Sequence, residues 1–137
     1  MLAGLLVFLA VSKTVAARTI ILANEAATLA TLRQFWTAIQ MYRFTNQVYP
    51  DPLGVLSEAT PPFLDSRLTG GIGANGCRDL AGYRYDYHRE NGEQYQLVAR
   101  PVEEGSTGLR SFLLDETGVL YYTTDGTDPT SDSELIH

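Results

Sequence analysis

Between Thr14 and Phe44 the chain contains neither glycine nor proline, the two residues that most readily interrupt a helix. Alanine, the best helix former, recurs there at Ala16, Ala17, Ala23, Ala26, Ala27, Ala30 and Ala38. In the second half of the run Leu29, Leu32, Phe35, Trp36, Ile39 and Tyr42 stand three or four residues apart and so share one stripe. Arg33, Gln34, Thr37, Gln40 and Arg43 fall largely on the other side. Upstream, Met1 to Ser12 carries no charge. Joined, the two stretches predict one helix of roughly 40 residues, about 60 Å long, far beyond the globular mean. A head of roughly 90 residues cannot cover such a helix along its whole length. Its first half must bury itself in lipid or against other copies of the chain.

The uncharged start is short of the roughly 20 residues that span a bilayer. A signal peptide would carry basic residues before the apolar run and a small-x-small cleavage site after it, and neither flank is visible. The better reading is half of a membrane segment, with residues expected upstream of Met1. Residues 1–23 are therefore expected to be the half of the helix that lies in the membrane or packs on other copies, with Leu2, Leu5, Leu6, Phe8 and Leu9 as the residues of that assembly helix. Residues 24–137 are the head. Leu32, Phe35, Trp36, Ile39 and Tyr42 are the predicted helix–sheet core.

Charge divides at the same place. The formal charge of −6 resolves into about +3 over residues 1–44, where Glu25 is the single acid, and about −9 over the remainder. An acidic head excludes non-specific nucleic-acid binding, which needs a basic surface to displace counterions. Apolar residues at 45% and charged residues at 19% are ordinary for a folded domain. Cys77 is the only cysteine, so no intramolecular disulfide forms. Its simplest role is a half-buried thiol.

Tyr49-Pro50-Asp51-Pro52 ends the helix, since proline cannot donate and biases the residue before it towards extended geometry. Residues 53–82 read as an irregular connector, with Pro61, Pro62 and a cluster of Gly70, Gly71, Gly73 and Gly76. A short helical turn is expected at 53–58. Beyond it the period changes to two. Tyr83, Tyr85 and Tyr87 share one face of a strand, and Arg84, Asp86 and His88 the other. Glu90-Asn91-Gly92 signals a hairpin. Tyr95, Leu97 and Ala99 mark a second strand, 110–114 a third and 119–123 a fourth. The fold class expected is α+β, a long N-terminal helix packed on a four-stranded antiparallel meander. Thr124 to His137 reads as a loose acidic tail.

The run NEAATLATLRQFWTAIQMYRFTNQVYP, with Tyr42, Asn46, Tyr49 and Pro50, resembles the approach to the head in type IV pilins and type II secretion pseudopilins. The later segments GYRYDYH, YQLVARPVE and RSFLLDETGVLYYTTDG are similar to the sheet of small pilin-like proteins. The resemblance covers most of the chain. It implies a structural subunit, anchored in the bacterial inner membrane by one pass, its head periplasmic or extracellular. It implies partners too: further pilin-like subunits and an inner-membrane assembly platform. It implies no catalysis. The family opens with a basic leader, a cleavage-site glycine and Phe-Thr-Leu-x-Glu, none of which stands here, so about six to eight residues and a leader are expected upstream. Lys13 and Arg18 would by themselves hold the chain in the reverse orientation, and the leader's charge normally competes with them. Major pseudopilins also close an Asp-rich calcium loop with an aromatic residue, and the tail DGTDPTSDSE lacks one.

The remaining candidates are weaker. Asp125, Asp128 and Asp132, with Glu134, offer oxygens to a calcium ion, against the plainer reading of an exposed acidic tail; their spacing is not that of an EF-hand. His88 and His137 lack a nucleophile motif. Gly70-Gly71-Ile72-Gly73 is not followed by Gly-Lys-Ser, so a flexible loop is preferred to a phosphate cradle. Tyr83, Tyr85, Tyr87, Tyr121 and Tyr122 read as cross-strand packing before they read as a ligand-stacking surface. The reading from another class is a membrane-tethered binding module that never polymerises.

Overall fold

A computed structural model of the chain describes residues 2–69 and 79–136, with residues 2–14 and 69 as backbone alone. Cys77, the glycines from Gly70 to Gly76 and His137 lie outside the described residues. Helix α1 runs from Leu2 to Asn46, 45 residues, or about 68 Å. It stops where the chain turns left-handed: Gln47 has φ 68° and its N–H donates to the Arg43 carbonyl at 2.7 Å, an αL cap. Arg43 in the last turn favours the carbonyl end of the helix dipole.

The inward face of α1 is Ile21, Glu25, Thr28, Leu32, Phe35, Ala38 and Ile39, all buried. Their three- and four-residue steps hold one side of a 3.6-residue helix against the sheet. Val15 to Ile20 are all exposed, so cover from the head begins at Ile21.

Among the described residues the sheet has six strands, in sequence order and antiparallel throughout. They are β1 (Asp79–Leu80), β2 (Tyr83–Asn91), β3 (Gln94–Pro101), β4 (Ser111–Asp115), β5 (Leu120–Thr123) and β6 (Glu134–Leu135). The four-stranded expectation thus needs correction: β1 and β6 are added at the edges. Each has two residues, too few to show an alternation. β1 is folded onto β2 by a two-residue turn, Ala81 and Gly82, both at positive φ (51° and 77°), the type I′ geometry of tight hairpins. The connector also holds two single-turn helices, α2 (Val55–Glu58) and α3 (Ser66–Thr69).

One face of the sheet presents Tyr83, Tyr85, Tyr87, Tyr95, Leu97, Ala99, Phe112, Leu114 and Leu120 to α1. Tyr49, Leu53 and Leu56 close the end of this core. Ring contacts tie the layers, with Phe35 and Tyr85 centroids at 6.0 Å and Tyr49 and Tyr95 at 4.8 Å. Leu32, Phe35 and Ile39 are fully buried. Trp36 is not: it is 36% exposed. One residue on from Phe35, it points about 100° away from it and lies along the core margin, its indole against Gly118. A Cβ at Gly118, whose φ is +78°, would come within 2.7 Å of that ring. Tyr42 is half-buried and meets the Phe63 ring edge-on at 5.7 Å.

The tail is not loose, a second correction. Arg100 on β3 grips Asp128 through two bonds, 2.5 and 2.7 Å. Pro129 is buried, β6 pairs with β5, and the Ile136 N–H donates to the Leu120 carbonyl at 2.9 Å. By strand alternation Val98 and Leu113 point away from α1, yet both are buried, consistent with this segment returning over the far face.

The tyrosine hydroxyls differ in how they are satisfied. Tyr87 donates to the Pro50 carbonyl and Tyr83 to the Arg110 carbonyl, each at 2.6 Å. The Tyr95 hydroxyl is buried with no partner among the described residues. An unmatched buried hydroxyl costs stability, whereas a matched one adds about 1 kcal/mol. Tyr95→Phe is therefore expected to leave stability unchanged or raised, and Tyr87→Phe to lower it by about 1 kcal/mol. Urea unfolding of the two variants measures the difference, and equal losses would contradict the assignment.

Candidate functional site

The face of α1 turned away from the sheet is the surface that demands an explanation. Below the head, Val15, Ile20 and Leu22 are 55–61% exposed, and they point in different directions around the helix. Alongside the head, the outward side presents Ala23, Ala26, Ala27, Ala30, Gln34, Thr37, Met41 and Phe44. Phe44 is 85% exposed. A solvent-facing helix in a soluble domain carries charged residues on this side. From Val15 onward, α1 holds four charges. Glu25 is turned inward, and the Arg43 guanidinium lies 4.6 Å from the centre of the Tyr49 ring. Arg18 and Arg33 alone are left exposed and without an acidic partner among the described residues. Among the described residues, the stretch Val15–Asn46 is long and apolar enough to cross a membrane by length and composition.

A clasp fixes how this face is presented. Glu25, 4% exposed, accepts the backbone N–H groups of Leu109 and Arg110 at 3.3 and 3.1 Å and pairs with the Arg110 Nε at 3.2 Å. Asn24 donates to the Thr107 carbonyl at 2.9 Å. The Arg110 guanidinium lies 5.2 Å from the centres of the Phe112 and Tyr122 rings. The helix is thus locked in rotation to the β3–β4 loop where it leaves the head. The partners lie 85 residues apart; the sequence signal was a lone acid in a cationic segment, in step with the buried stripe.

Of the candidate calcium ligands, Asp125 and Asp132 line one open cleft with Glu134, and Asp128 is not in its lining. No group of three or more His, Cys, Asp or Glu suited to a metal exists among the described residues. Asp128 is neutralised by Arg100, which holds its carboxyl below the usual range. Asp125 is lowered by the hydroxyl and N–H of Thr127. Asp132 is exposed. A guanidinium and local turn donors thus occupy oxygens that a cation would need. His88 is exposed on β2, opposite Gln96. The Tyr83, Tyr85 and Tyr87 rings face the core, and burial pushes all three hydroxyl pKa values up; they are not a stacking surface. Tyr121 and Tyr122 are half-buried on β5.

No protein-family model, no curated protein and no solved structure matches the chain.

Proposed function

We propose that this chain is the structural subunit of a type IV pilus-like or type II secretion filament. Its N-terminal helix holds it in the bacterial inner membrane before assembly, with the head on the periplasmic side. The observation that carries the reading is the outward face of α1, apolar, nearly uncharged and left uncovered by the chain's own head. A helix that apolar is satisfied in lipid, where its backbone is bonded internally. It is equally satisfied against neighbouring helices, gaining about 25 cal/mol per Å² of apolar surface buried. Contact between unlike patches, where its rotation does not close into a ring, generates a filament. The partners are further pilin-like subunits and an inner-membrane assembly platform; the chain itself performs no chemistry.

Leu6→Asp tests it. A carboxylate at the centre of a membrane helix costs on the order of 3 kcal/mol, and an unpaired charge between packed helices costs more. The variant is expected to abolish shearable polymer in a host expressing the full-length gene, while the head keeps its circular dichroism spectrum. Normal polymer from Leu6→Asp would remove the helix as polymer core and favour the tethered binding module.

A further inference from the structure

The stretch of α1 below the cover of the head is where its cations begin. Leu2 to Ser12 carry no charge, Lys13 ends that run, and Arg18 follows. Val15 to Ile20 are exposed, and Arg18 has no acidic partner among the described residues. The nearest loop of the head carries the opposite charge. Glu103 and Glu104 are exposed on the β3–β4 loop, which is tied to α1 where Asn24 donates to the Thr107 carbonyl. That tie lies six residues, about 9 Å, above Arg18, and no ion pair joins the two.

We infer that Arg18, with Lys13 below it, binds the phosphate of an anionic phospholipid on the head's side of the bilayer, an inference that rests on the membrane-anchored reading above. The occupant follows from level and from charge. The headgroup layer is about 5–8 Å deep on each side of the hydrocarbon. Ser12 to Arg18 is six residues, about 9 Å, so a helix whose uncharged run ends with the hydrocarbon carries both cations through the phosphate layer. The long arginine stem lets the guanidinium reach back to that layer, where its fork meets phosphate oxygens through paired N–H bonds. The tie of the acidic loop stands about one Debye length higher, roughly 8 Å at physiological salt. Repulsion between loop and lipid is thus screened, while the contact at Arg18 is not. Cations on the head's side run against the positive-inside bias, and the phosphate contact offsets that cost.

The full chain in vesicles of equal parts phosphatidylcholine and phosphatidylglycerol tests this. Spin-labelled forms of the two lipids report which is immobilised at the protein, and phosphatidylglycerol is expected to be preferred. Arg18→Gln is expected to lower that preference about fivefold, the worth of one basic residue at an anionic surface. Arg18→Lys is expected to keep most of it, since an ammonium also binds phosphate as a point charge. Arg33→Gln is expected to change nothing. Arg33 is also exposed and without an acidic partner among the described residues, but it stands fifteen residues, about 22 Å, above Arg18. A preference untouched by Arg18→Gln, or lowered as much by Arg33→Gln, would overturn the contact and leave the membrane anchor standing. A chain that does not float with the vesicles would overturn both.

Discussion

Above pH 10 the head is expected to unfold cooperatively. Tyr83, Tyr85, Tyr87 and Tyr95 are at most 3% exposed, and burial raises the pKa of each hydroxyl above its ordinary value of 10.0. Burial penalises the phenolate, so the folded chain keeps protons that the unfolded chain releases. The contribution of these groups to stability is therefore complete below the unfolded pKa, about 10, and is lost as pH climbs towards the folded values. Each group removes about 1.4 kcal/mol per pH unit, and four together about 5 kcal/mol per unit. A domain with about 5–15 kcal/mol in hand does not survive more than one to three such units. Phenolate absorbance and far-ultraviolet circular dichroism are expected to change together, with Tyr95→Phe reducing the steepness by about a quarter. Four rings ionising near pH 10 in a head that stays folded would contradict the packing described.

Phe35→Ala is expected to cost about 3–5 kcal/mol, the penalty for emptying a fully packed aromatic site. Phe35 is 0% exposed and touches Tyr85 at the centre of the helix–sheet interface. Trp36→Ala, one residue on, removes more atoms but from the margin of the core, and a loss of about 1–2 kcal/mol is expected. Denaturant unfolding of the full chain in detergent, followed by the near-ultraviolet signal, separates the two. Equal losses, or a larger one at Trp36, would mean that the helix sits rotated on the sheet from the position described.

The contrast between Phe35 and Trp36 shows what could be read from the chain before its structure. A period of three to four locates a stripe but not its edges, since every apolar residue near the stripe counts equally. The long helix was legible because nothing breaks it, β2 and β3 because tyrosines and aliphatics alternate in them at period two, and β4 and β5 because Asp115-Glu116-Thr117-Gly118 marks a turn between two short apolar runs. β1 and β6 were not, because pairs of residues carry no period; their pairing comes from a turn and from a returning tail. Nor was the tail's order legible. Asp128 reads as one more acid in a polar run until Arg100, 28 residues away, is brought beside it. The same holds for Glu25 and Arg110. Long-range charge pairs leave no local mark, and they decide here both how the helix is held and why the acidic segment does not gather into a cation site.

With α1 proposed as the core of a polymer, neighbouring copies must cover its outward face. Electron microscopy of the sheared surface fraction from cells expressing the full-length gene, reconstructed to resolve helices, tests it most directly. The expected result is a filament with α1 helices packed parallel along its axis, the outward alanines and Phe44 covered by neighbouring copies, and the sheets outermost. A chain found only as dispersed single subunits in the membrane, or a filament whose subunits meet through their heads with α1 uncovered, would contradict it.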